Sequence, residues 1–146
     1  MREPINDNTR LLHILEAIDN INEFKQNVDF ESFCNNKILK YAIFYNVAVI
    51  GEAAYKLSKD FIDNHNEIPW RDIINMRYVI IHGYYTIDDE ILWETIIHDI
   101  PHLKLAIKNI YSSITDKWSV FSSFLAVFWW FCRFFSAFFE KFAKNN

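Results

Sequence analysis

Glycine and proline are scarce, at 2 and 3 of 146 residues, and neither Asn-Gly nor Asp-Gly occurs. The chain therefore lacks the residues that two-residue β-hairpin turns need, which argues against antiparallel sheet and for helices. Cysteine is equally sparse: Cys34 and Cys132 make no disulfide framework. Met1-Arg2-Glu3-Pro4 carries no apolar signal segment, so a reducing cytoplasm is the expected compartment. Basic charge is also in short supply, with 15 Lys and Arg against 19 Asp and Glu for a net charge of −4. Arg133, Lys141 and Lys144 against Glu140 place +2 on residues 118–146 and leave −6 on residues 1–117. Such a body does not suit tight nonspecific binding of nucleic acid by counterion release, although a local cationic cleft is compatible with it.

Hydrophobic residues make up 51% of the chain, and their spacing is helical. From Asp7 to Asn27, Leu11, Leu15, Ile18, Ile21 and Phe24 recur every three or four residues, with Glu16, Asp19, Asn20 and Glu23 opposite and His13 at the boundary. Asp29 and Ser32 offer caps for a second helix that the pattern carries through Tyr41, Tyr45 and Val49 toward Ile62, with Gly51 as its only breaker. At about 30 residues it would be about 45 Å long. A third helix opens at Pro69 and ends at His82-Gly83. Thr86-Ile87-Asp88-Asp89 signals the start of a fourth, which Pro101 is expected to kink or interrupt before Leu103, Ile107 and Ile110. His98 and His102 have the i, i+4 spacing of a metal pair, but no third ligand accompanies them, so no metal site is expected.

Residues 118–146 differ in kind from the rest, holding 9 of the 14 Phe and 3 of the 5 Trp. We read them as an aromatic-rich helical extension of a domain spanning residues 1–117. The run from Trp118 to Cys132 is uncharged for 15 residues, short of a clear membrane span. Packing of this segment against protein is preferred to membrane insertion.

Chemistry concentrates in Met76-Arg77-Tyr78-Val79-Ile80-Ile81-His82-Gly83-Tyr84-Tyr85. Arg77 is a permanent cation with a planar fork of donors suited to phosphate, His82 exchanges a proton near neutrality, and Tyr84 brings a hydroxyl. On an ideal helix Arg77 and His82 lie about 140° apart around the axis and about 7.5 Å along it, so a single protomer need not complete a site. Glu52 follows the apolar run Val47-Ala48-Val49-Ile50 and needs a partner wherever it is buried. That partner is either Arg77 or His82, in a catalytic support or in a purely structural interhelix ion pair.

Arg, four residues, His, one residue, Tyr is the motif of the HEPN superfamily. With Ile50-Gly51-Glu52-Ala53-Ala54, Ile68-Pro69-Trp70, Ile87-Asp88 and Leu92-Trp93-Glu94-Thr95-Ile96 in order around it, the chain resembles the HepT-like toxins over about Asp7 to Ile114. Tyr78 departs from the pattern, since a small polar residue usually follows the arginine. The resemblance implies an all-α HEPN-type antiparallel bundle of four to five helices. It also implies a metal-independent endoribonuclease toxin without cofactor, in which Arg77 and His82 act on RNA in a homodimer. Tyr84 corresponds to the tyrosine that receives AMP from a nucleotidyltransferase antitoxin of the MNT type, while Glu52 stands as a supporting residue on the residue reading above. The alternative from another class is a catalytically silent helical subunit that docks such a nucleotidyltransferase through its acidic surface.

Overall fold

The computed structural model describes residues 6–83 and 88–115, and every regular element among them is helical, in agreement with the expected all-α bundle. The chain divides into two units, 1–109 and 110–146, the second described only over its helical residues 110–115. The expectations for the aromatic-rich segment 118–146 and for Tyr84 therefore lie outside the described residues.

Helix α1 (Asp7–Phe24) starts at Asn6, whose side-chain oxygen accepts from the Thr9 amide at 2.9 Å. Its buried stripe is Leu11, Ile14, Ala17, Ile18 and Ile21, whereas Phe24 is exposed. The stripe is centred nearer Ile14 than the sequence pattern implied. The long second helix expected from the sequence is instead three pieces: α2 (Phe30–Asn35), α3 (Lys37–Tyr55) and α4 (Lys59–Asn64). Two caps make the breaks. Asn36 leaves the helical region at φ −106°, ψ 91° and accepts from the Leu39 amide, so one asparagine ends α2 and starts α3. Ser58 caps α4 through the Phe61 amide, and its own amide and hydroxyl are bound by Asp7 at 2.8 and 2.7 Å. The second break is thus held by a residue 51 positions away in sequence.

Asp7 against Ser58 at one end and Asn20 against Asn46 at the other set α1 and α3 antiparallel. Asn46 is 5% exposed, and it satisfies its polar atoms by accepting from Asn20 and donating to the Ala42 carbonyl. Helix α5 (Trp70–Gly83) follows Pro69, and the Trp70 indole N–H donates to the His65 carbonyl at 2.7 Å. Asp88 caps α6 (Asp89–Glu94) through the Glu90 amide.

Pro101 does not interrupt the helix that follows. Residues Thr95–Asp99 form a π-helical turn in which the Ile100 amide reaches the Thr95 carbonyl, and residues 100–109 (α7) continue as helix. Proline lacks the N–H and in a regular α-helix its ring collides with the carbonyl four residues back, so a wider turn just before it removes the conflict. The Ile96 carbonyl in this turn accepts from Lys25 Nζ at 2.9 Å, and Lys104 pairs with Asp19 further along. Those two contacts run α7 antiparallel to α1, closing a core of Ile14, Ile18, Phe33, Ile43, Ile50, Ile96, Ile100 and Ile107.

Helices α3 and α5 cross at Gly51. A Cβ built there would stand 2.7 Å from the Arg77 Cβ and 3.0 Å from the Ile73 carbonyl oxygen. Gly51 is therefore a point of close approach within a continuous helix and not a break in it. Gly51→Ala is expected to destabilise the protein by about 1–2 kcal/mol, since overpacking of about 1–3 kcal/mol exceeds the gain in helix propensity of about 1 kcal/mol. A chemical denaturation midpoint equal to or above that of the parent chain would contradict this.

Candidate functional site

The same crossing puts Glu52, one residue along α3, against Arg77 on α5, where Oε2 and Nη1 form an ion pair. The other carboxylate oxygen takes Lys56 Nζ at 2.8 Å, one turn along α3. Tyr55 completes the setting, with the guanidinium carbon 4.6 Å from its ring centroid. Arg77 is thus held by a carboxylate on one side and an aromatic face on another, with its side chain still 27% exposed. Glu52 is not buried as its apolar neighbours suggested, since its side chain is 41% exposed at the groove rim.

Hydrogen bonds from Lys56 first and Arg77 second hold the Glu52 carboxyl below its ordinary range. A group depressed in the folded state contributes stability above its unfolded pKa and loses that contribution as pH falls through the folded value. The acid limb of the melting curve should therefore be shallower in Glu52→Gln than in the parent below the ordinary glutamate range, while the two converge least near neutrality. Parallel acid limbs would show that the pair does not titrate with unfolding.

His82 lies in the last turn of α5, five residues beyond Arg77 on the same helix, and its side chain is outside the described residues, as is Tyr84. The structure thus brings together Glu52 and Arg77 of the four residues singled out from the sequence. Three others that the sequence did not single out for the site join them: Tyr55, Lys56 and Arg10. Glu52 and Lys56 had a visible signal in their i, i+4 spacing. Arg10 did not, because it reaches the site from α1, where it lines a groove of about 360 Å³ with His13, Tyr45, Glu52 and Arg77.

His98 and His102 make local contacts. His98 Nε2 lies 3.3 Å from Glu94 Oε2, and His102 Nδ1 lies 2.7 Å from the His98 carbonyl. Among the described residues no group of three or more His, Cys, Asp or Glu converges as a metal site. No helix among them is long and apolar enough to cross a membrane.

A family model described as Ribonuclease HepT-like matches residues 14–110. A Thermococcus cleftensis protein named as a probable ribonuclease HepT is 42% identical over 91 residues, covering 62% of this chain and 83% of its own length. Two further relatives carry RNase names. One from Methanocaldococcus jannaschii is 38% identical over 107 residues, 73% of this chain and 88% of the relative. The other, from Caldanaerobacter subterraneus, is 36% identical over 100 residues, 68% of this chain and 89% of the relative. No solved structure matches.

Proposed function

Because the chain belongs to the ribonuclease HepT-like family, we propose that it is a metal-independent endoribonuclease whose chemistry is carried by Arg77 and His82. The observation that carries the reading is the tethering of Arg77. A guanidinium clamped by Glu52 and Tyr55 yet partly exposed on a groove is a preorganised cation for a phosphate whose charge grows in the transition state.

RNA supplies its own nucleophile in the 2′-hydroxyl, so this reaction does not require a metal-bound water. His82 removes the 2′-hydroxyl proton or protonates the leaving 5′-oxygen, and Arg77 stabilises the pentacoordinate phosphorane. The new bond is from O2′ to phosphorus, the bond broken is from phosphorus to O5′, and the products are a 2′,3′-cyclic phosphate and a 5′-hydroxyl. The motif's single histidine cannot serve as acid and base together in a single step. A homodimer that joins two copies of the motif in one cleft would divide these roles.

Control by a nucleotidyltransferase antitoxin belongs to the same reading. Adenylation of Tyr84 would set a phosphate and a base two residues from His82, competing with RNA for Arg77 by charge. The family match and the retention of tyrosine at this position support it.

The purified chain incubated with RNA in EDTA tests the central claim. Cleavage to 2′,3′-cyclic ends is expected, and a strict need for a divalent ion would reject the mechanism. Expression in cells should be toxic if the chain is a nuclease and harmless if it is a silent docking subunit. Mass spectrometry of the chain co-expressed with a nucleotidyltransferase partner should find AMP on Tyr84. An unmodified tyrosine in a neutralised complex would leave inhibition to binding alone.

A further inference from the structure

The groove beside Arg77 does not stop at the tethered guanidinium. It is lined by Arg10 and His13 of α1 and by Tyr45 of α3, and a second hollow of about 230 Å³ shares His13 and Tyr45 and continues to Asn20 and Asn46. Spacing explains the alignment. Arg10 and His13 are three residues apart on α1, and Tyr45 and Glu52 are seven apart on α3, so each pair shares a face. The antiparallel packing of these helices sets the two faces side by side along one trough.

Charge in the trough is mixed, with Arg10 and Arg77 against Glu52 in the first groove and Glu16 in the second hollow. Glu52, the one carboxylate lining the first groove, is already engaged by Lys56 and Arg77. Arg10 has no ion pair among the described residues, and its Nε is buried without a hydrogen-bond partner. That nitrogen is closed to solvent, but Arg10 as a whole is half-buried and lines the groove, where a phosphate oxygen suits a guanidinium fork. Tyr45 is 70% exposed where it lines the groove, so its ring is open to a ligand. Exposed aromatic faces alternating with cations along a groove are the means by which single strands are held, because every base has a face to stack and every nucleotide a phosphate to neutralise.

Resting on the ribonuclease reading, we propose that this trough is the bed of a single-stranded RNA, with Arg10 binding a backbone phosphate flanking the scissile one and Tyr45 stacking an unpaired base. Arg10 and Tyr45 are then substrate-binding residues that set which stretch of RNA reaches Arg77. Arg10 and Arg77 place local cations on an otherwise acidic body, so attraction for RNA is confined to the stretch beside the site.

The test separates binding from cleavage. A fluorescein-labelled 2′-O-methyl RNA of about ten nucleotides has no free 2′-hydroxyl and cannot be cut, and its length falls within the usual single-strand site size. Anisotropy titrations of the full chain at several salt concentrations should show Arg10→Ala weakening binding about tenfold and flattening the slope of log affinity against log salt by about 0.7. Arg10→Lys should keep the slope, which also guards against a folding defect in the alanine variant. Tyr45→Ala should weaken binding about tenfold with the slope unchanged, because stacking releases no counterion. Arg71→Ala removes the same charge from an exposed position at the start of α5 and should change affinity less than about twofold. The proposal is overturned if the parent chain does not bind the oligonucleotide, if Arg10→Ala and Tyr45→Ala bind as the parent does, or if Arg71→Ala matches the loss of Arg10→Ala. Binding that follows the expected pattern in a chain that cuts no RNA would retire the nuclease reading and leave the trough standing.

Discussion

Replacing His82 with alanine is expected to lower RNA cleavage by about 10²–10⁴-fold, the range for losing a positioned general acid or base. The fold should survive, because position 82 is in the last turn of α5, where the backbone is already ending its hydrogen-bonded run. Circular dichroism and the denaturation midpoint serve as the control. The pH profile sharpens the test: a rate governed by imidazole proton transfer changes slope near the histidine range, and the residual rate of His82→Ala should lack that inflection. Cleavage within threefold of the parent, at unchanged pH dependence, would remove His82 from the mechanism.

Arg77→Ala is expected to cost about 10²–10³-fold in kcat, as removal of a preorganised charge stabiliser does elsewhere. Glu52 touches Arg77 and acts through it, so its contribution should be conditional. In the parent background Glu52→Gln should reduce kcat about tenfold by freeing the guanidinium from one of its two restraints, while in the Arg77→Ala background the same change should cost less than about twofold. Lys56→Ala provides a comparison, since it removes the other partner of Glu52 without touching Arg77. If the Glu52→Gln loss is the same in both backgrounds, the carboxylate works on something other than Arg77. Arg77→Lys is a useful intermediate: it preserves charge and loses the planar fork, so a full loss there would assign the effect to geometry over charge.

Much of this was legible in the order of residues, and the parts that were not share a cause. The extents of α1 and α5 follow from periodicity, because each is an amphipathic helix with a clear start, although the buried stripe of α1 takes Ile14 and Ala17 in place of Leu15 and Phe24. Glu52 does meet a cation, as its place after four apolar residues suggested, but as a partly exposed residue at the groove and not a buried one. The breaks at Asn36 and Ser58 were hidden inside a continuous apolar pattern. A cap such as Ser58 is only as strong as its surroundings, and its surroundings include Asp7 from the far end of the chain. The π-turn was hidden for a similar reason: proline announces a conflict with the α-helix but not the means by which it is relieved. Tyr55 over Arg77 and Arg10 beside it depend on which faces of three helices meet, which no local pattern encodes.

The close crossing at Gly51 carries a consequence for how the protein softens on heating. Arg77 takes its Cβ position from backbone contact with α3, and its guanidinium is restrained from the same helix by Glu52 and Tyr55. Helix α3 in turn carries Ile43, Val47 and Ile50, all within 1% of full burial. The cation is therefore anchored to a helix with a fully buried face and not to a loop. Amide exchange around Gly51 and Arg77 should follow the global opening rate, so that the Arg77 guanidinium stays in place at every temperature where the core does and is released only in the same cooperative step.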